Sequence, residues 1–182
     1  ITPELLALSK LSREHGQIDP ALYTKYEVKR GLRDLNGKGV LAGLTDISEI
    51  ISYTIEDNDM IPCDGPLYYR GYKIQDLVNG FEKENRFGFE EVAWLLIFGA
   101  LPTPEQLSKF SNVLAECREL PEDFIEDMIM KAPSSDIMNK LARSVLSLYS
   151  YDENPDDLTL ENLLRQSIEL ISRMGTIVAY SY

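Results

Sequence analysis

The chain is poor in the residues on which much enzyme chemistry depends. Its 182 residues include one histidine, two cysteines and one tryptophan. A serine or cysteine nucleophile normally needs an imidazole beside it. The single imidazole, His15, lies in an N-terminal stretch with no triad-like signature, where its ordinary role is a surface or capping side chain. Cys63 and Cys117 form no CxxC pair and are no better placed as nucleophiles. They read as reduced cysteines of a cytoplasmic protein, one on a loop and one on a helix. Positive charge is scarce as well: 18 Lys and Arg stand against 30 Asp and Glu, a net charge of −12. That balance argues against a nucleic-acid partner. It also sits awkwardly with a polyanionic cofactor unless cations come from elsewhere. The one basic cluster is Lys25, Lys29, Arg30 and Arg33. No window approaches the roughly 18 apolar residues of a membrane span, and no signal-peptide pattern opens the chain.

What is present is the balance of an ordinary globular protein, 44% apolar and 26% charged, long enough for one substantial domain or two small ones. The chain starts at Ile1 and stops at Tyr182 inside a helix-periodic run (Ile171, Met174, Ile177, Val178), so a piece of a longer polypeptide is expected. In the first 36 residues Thr2 is placed to cap a short helix over Pro3, Leu5, Leu6 and Leu8, and Asp19-Pro20 opens a second short turn. Residues 37–72 are β-branched and punctuated by glycine. They predict strands near 39–46 and 50–55 and a third at LYYRGY, with EDNDMIPCDGP as a turn-rich separator.

From Ile74 the period is helical. Phe89, Val92, Ala93 and Leu96 mark one face of a helix ending at Gly99. Thr103, Pro104 and Gln106 spell a capping box for a helix with Leu107, Phe110, Val113 and Leu114 inward. Pro121 opens another with Phe124, Ile125, Met128 and Ile129 inward, closed by Pro133. Asp136 caps a helix carrying Ile137, Leu141, Val145 and Leu148. YDENPDD is a solvated connection, and Thr159 starts a long helix with Leu160, Leu163, Leu164, Ile168, Ile171 and Met174 on its stripe.

Several constellations invite chemistry. Gly37-Lys38-Gly39 with Gly43 has the spacing GxGxxxG, which fits neither a Walker loop nor a dinucleotide fingerprint, and strand-like residues follow it. Glu56, Asp57, Asp59 and Asp64 lack the third acid and the glycine of a calcium loop, so a hydrated acidic loop is expected. Asp152, Glu153, Asp156 and Asp157 read the same way. Arg70, between Tyr69 and Tyr72, could stack on a ring or grip a carboxylate. As a strand residue it would share a face with Tyr68, and a structural pairing with an acid such as Asp76 is the favoured reading.

In their order along the chain these segments resemble citrate synthases, specifically the N-terminal portion. The markers are GVLAGLTDIS at 39–48, LYYRGYKIQDL at 67–77, FEEVAWLLIFGALPTPEQL at 89–107, DIMNKLARSVLSLYS at 136–150 and NLLRQSIELISRMGTIVAYSY at 162–182. The resemblance implies a mainly α-helical fold of the citrate synthase type. An N-terminal arm (1–36) would precede part of the helical large domain (37–182), which opens with a small β meander at about 39–72. It further implies an acyltransferase condensing acetyl-CoA with oxaloacetate to citrate and CoA, feeding the tricarboxylic acid cycle. In that reaction a carboxylate deprotonates the acetyl methyl, two histidines polarise the carbonyls and arginines hold the oxaloacetate. None of these groups can be carried onto the residues present. No catalytic, cofactor-binding or metal residue is therefore assigned, and acetyl-CoA counts as a substrate rather than a cofactor. The fragment alone is expected to be inactive. The resemblance also implies a homodimer through helices in 136–182, for which Ala142, Ser144 and Ser147 are small and Leu141, Val145 and Leu148 apolar. A 2-methylcitrate synthase fragment and a non-catalytic helical interaction domain are the alternatives.

Overall fold

The structure, a computed structural model, describes residues 18–29, 31–34, 37, 39, 40, 42–57 and 59–182. The expectations for Thr2, His15, Arg30 and Lys38 lie outside them. The chain divides into two compact units, 1–45 and 46–182.

In the first unit Asp19 does cap a helix, α1 (Pro20–Lys25), by accepting the Ala21 N–H at 2.9 Å. Proline at the first helical position suits a residue with no N–H to satisfy. The glycine-rich stretch is a local turn and not the strand expected near 39–46. Arg33 and Gly39 form an isolated antiparallel bridge, and the Val40 N–H reaches the Leu32 carbonyl at 3.0 Å. Gly37 takes φ 83°, and its carbonyl accepts from the Arg33 guanidinium at 2.9 Å.

The second unit opens with β1 (Ser48–Ile50), β2 (Tyr53–Glu56), β3 (Asp59–Pro62), β4 (Leu67–Tyr69) and β5 (Tyr72–Lys73). They form no simple meander. One sheet has the order β1-β4-β5, and the β2–β3 hairpin is inserted between β1 and β4 as a sheet of its own. The strand expected at 50–55 is shifted to 53–56. The separator holds a strand as well, since Ile55 pairs with Met60 and Thr54 with Ile61. The ladder forms in a stretch whose acids suggested only turns, and all of its residues are exposed.

The helical body follows: α2 (Ile74–Lys83), α3 (Phe89–Phe98), α4 (Pro104–Glu116), a π-helical turn (Ile125–Met130), α5 (Ile137–Leu148), a 3-10 turn (Tyr149–Tyr151) and α6 (Leu160–Ser181). The capping box of α4 is complete. The Thr103 hydroxyl accepts from the Gln106 N–H at 3.3 Å, while Gln106 Oε1 accepts from the Thr103 N–H at 2.8 Å. Asp136 caps α5 through the Asn139 N–H at 3.1 Å. Gly99 closes α3 at φ 83°, the left-handed geometry a glycine supplies without a Cβ penalty.

Phe124, Ile129, Leu148 and Ile177 make the core, with Leu120, Met128, Leu141 and Leu170 packed against them. Burying each such side chain contributes about 1.5–3 kcal/mol. The segment expected to be an α-helix after Pro121 winds instead as a π-turn, with the Lys131 N–H on the Glu126 carbonyl at 3.0 Å. Five residues overshoot one α-turn but match the i→i+5 spacing of a π-turn. The wider winding lets Phe124 and Ile129, five apart, both enter the core. Two stripes also differ from expectation. In α3 the fully buried residue is Leu95, while Phe89 is 62% exposed. In α6 the buried positions are Asn162, Ser172, Ile177 and Ser181, while Leu160 is 77% exposed.

Candidate functional site

Arg70 does not lie on a strand face. With Tyr69 paired to Tyr72, it and Gly71 form a two-residue turn between β4 and β5. Their φ angles are 48° and 84°, the double positive φ of a type I′ hairpin turn. Glycine adopts this backbone freely; for arginine it costs roughly 1–2 kcal/mol. From that turn the guanidinium reaches the Leu96 carbonyl through Nη2 at 3.0 Å and Nε at 3.4 Å, and Asp46 Oδ1 through Nη1 at 2.8 Å. The acid partner is thus Asp46 and not the expected Asp76, because the turn aims the side chain at the end of α3. Leu96 belongs to the last helical turn, whose carbonyls have no partner within the helix. A cation there also meets the negative end of the helix dipole. Arg70 is a structural arginine, its side chain only 17% exposed.

The second polar cluster ties the 152–157 connection to α6. Arg165 donates to both oxygens of Asp152 at 2.7 and 2.9 Å, to Glu169 at 2.9 Å and to Asn162 Oδ1 at 2.7 Å. Gln166 Nε2 donates to Asp152 and to the Pro155 carbonyl, and Asn162 Nδ2 to the carbonyls of Asn154 and Asp157. The Asn154 N–H, Gln166 and Arg165 together hold the Asp152 carboxyl below its ordinary range. Glu169, followed by Asp152, pushes the Arg165 guanidinium up. The acids expected to be a solvated connection are therefore partly committed, and Asp156 accepts from the Tyr149 hydroxyl at 2.9 Å. A cleft of about 610 Å³ opens beside them, lined by Tyr149, Tyr151, Gln166 and Arg173 among others. Arg173 donates to Glu169 at 3.0 Å and to the Glu119 carbonyl at 3.1 Å. Each cation here already has its anion, so the cluster organises a loop.

Among the described residues the other sequence candidates assemble no metal group. Glu56 faces Asp59 across the β2–β3 hairpin, whose turn holds Asp57 at φ 50°. Among the described residues no three His, Cys, Asp or Glu side chains are grouped to hold a metal. Cys63 is exposed and its thiol donates to the Ile51 carbonyl at 2.8 Å; Cys117 is half-buried. Of the basic cluster, Lys29 pairs with Asp34 at 3.0 Å.

What the body does present is apolar helix surface. Leu148 and Ser144 of α5 are buried within this chain, and Leu141 packs on the core. The outer stripe of α5 is instead Met138, Ala142 and Leu146, four residues apart, with Met138 73% and Leu146 75% exposed. On α6 a groove of about 950 Å³ runs over Ile171, Met174, Gly175, Val178 and Ala179, flanked by Phe89 and Leu114. Of the residues expected on a dimer face, Ala142 lies on the outer stripe of α5, whereas Ser144 and Leu148 face inward. Hydrophobicity alone does not say which of two apolar stripes is covered within the subunit.

Comparison with known proteins fits this helical body. Residues 32–182 match the family described as "Citrate synthase, C-terminal domain". A citrate synthase of Haloferax volcanii is 34% identical over 158 residues, covering 84% of this chain and 36% of that protein. One from Saccharolobus solfataricus is 33% identical, covering 65% of this chain and 29% of its own. A Mycobacterium tuberculosis 2-methylcitrate synthase is 27% identical over 98% of this chain and 40% of its own. Among solved structures, citrate synthase from Pyrobaculum aerophilum superposes with a TM-score of 0.63 at 27% identity, covering 85% of this chain and 38% of that one. That of Thermoplasma acidophilum, solved with carboxymethyl coenzyme A and oxaloacetate, gives 0.66 at 21% identity over 86% and 35%, which bears on the fold alone. The chain spans about a third of the length of these relatives.

Proposed function

From the premise that this chain belongs to the citrate synthase family, we propose that it is the N-terminal portion of a citrate synthase, a scaffold that carries no catalytic residue. The whole enzyme condenses acetyl-CoA with oxaloacetate to citrate and CoA, at the head of the tricarboxylic acid cycle and in the cytoplasm. In this reading an N-terminal arm, 1–36, precedes the part of the helical large domain in 37–182. The match over residues 32–182 supports the family, and the order of the markers along the chain supports the N-terminal placement. Two further observations support it. The chemistry that the resemblance implies needs two histidines, and the chain has one, His15, upstream of the matched region. The two best-built polar clusters, around Arg70 and Arg165, spend their charges on carbonyls and carboxylates of the chain itself.

The substrates are small molecules handled by the whole enzyme, with no bound cofactor, no nucleic acid and no membrane. Among the described residues no helix is long and apolar enough to cross a bilayer. The partner is a second copy, met through helices in 136–182, where the outer stripe of α5 and the groove on α6 lie. The relative matching 98% of the chain favours a second reading of the acyl group, propionyl in place of acetyl.

The reading frame beyond Tyr182 tests placement. Two histidine-bearing motifs and a later aspartate are expected there. A stop codon would favour a non-catalytic helical interaction domain. Sedimentation tests assembly: a dimer or larger is expected, and a monomer at high concentration would remove the role given to 136–182.

A further inference from the structure

We propose that residues 46–73 form a strap that opens and closes as one unit, hinged where β5 runs into α2 and latched by Arg70. No residue of β1 to β5 is buried, whereas the core side chains all belong to residues 77–177. Segments with few buried apolar groups open at lower free energy than the core they adjoin. At the hinge, Lys73 precedes α2 with no side-chain cap bond. The sheet itself is internally tied: Ser48 pairs with Tyr69, and the Arg70 N–H donates to the Ile47 carbonyl at 2.9 Å. The strap therefore moves together.

The latch lies in the β4–β5 turn, immediately before the short strand that leads into the hinge. The Arg70 guanidinium crosses to the Leu96 carbonyl in the last turn of α3 and also holds Asp46, which is 89% exposed. Gly99 ends α3 beside that approach at φ 83°, a conformation that glycine adopts freely. Arginine in this turn has two opposed effects. Its left-handed backbone works against the closed turn, and its charge-assisted bonds work for it. Those opposite signs allow a direct test.

Amide hydrogen exchange is followed by mass spectrometry on the 182-residue chain and on Arg70→Asn and Asp46→Asn. Asparagine suits a type I′ turn better than arginine does, so relief of backbone strain alone predicts slower exchange in 46–73. Loss of the latch predicts exchange there faster by about tenfold, on the scale of a charge-assisted bond, with α5 and α6 unchanged. Asp46→Asn, an exposed and conservative change, should accelerate the same segment by less and keeps the test alive if Arg70→Asn fails to fold. Unchanged or slower exchange in 46–73, or acceleration spread equally over α5 and α6, would overturn the proposal.

Discussion

The strand segment 46–73 and the helical body 74–182 hold their shape by different means. In the body, Phe124, Ile129, Leu148 and Ile177 are removed from water and define the packing, while polar ties such as Arg165 to Asp152 fasten a loop to it. In the strand segment backbone ladders do the work. Ile50 and Ile55 remain exposed, and the Arg70 guanidinium ties the segment to α3. The difference teaches that mutational sensitivity should follow burial in one region and hydrogen-bond geometry in the other.

The largest expected effect breaks the body. Phe124→Ala removes a fully buried ring that meets Tyr151 edge-on at 5.6 Å, and should cost about 3–5 kcal/mol in urea unfolding. A loss below about 1 kcal/mol would mean that the core is centred elsewhere. Next is the charge network. Because Asp152 is held below the ordinary 3.8, its contribution is complete above that value and is lost as pH falls through the lowered folded value. The acid limb of the stability curve should therefore be shallower in Asp152→Asn, and a limb parallel to that of the parent chain would contradict the assignment. Thr103→Ala removes one half of the capping box and should cost about 1 kcal/mol, measured by thermal unfolding. The smallest effect is expected in the strand segment: Ile55→Ser, on an exposed hairpin face, should stay within about 0.5 kcal/mol. A larger loss would show that this face is covered in solution.

How much was legible follows the same division. The α4 capping box, the Asp136 cap and the Gly99 stop were readable because each is a local contact within a few residues. Phe124 and Ile129 were readable as inward positions, but the π-winding that brings them together was not, since it depends on what the turn packs against. The strand register was misplaced because ladders join distant residues. Ser48 pairs with Tyr69 across an inserted hairpin, and no local pattern announces that. Arg70 was legible as structural, yet its partners Leu96 and Asp46 lie 26 and 24 residues away.

The proposal that these residues are a framework for the whole enzyme's reaction can be tested directly. The direct test is CoA release from acetyl-CoA and oxaloacetate by the purified 182-residue chain. Release indistinguishable from the protein-free blank is predicted. Turnover above it, proportional to the amount of chain added, would contradict the claim that the chemistry resides outside these residues.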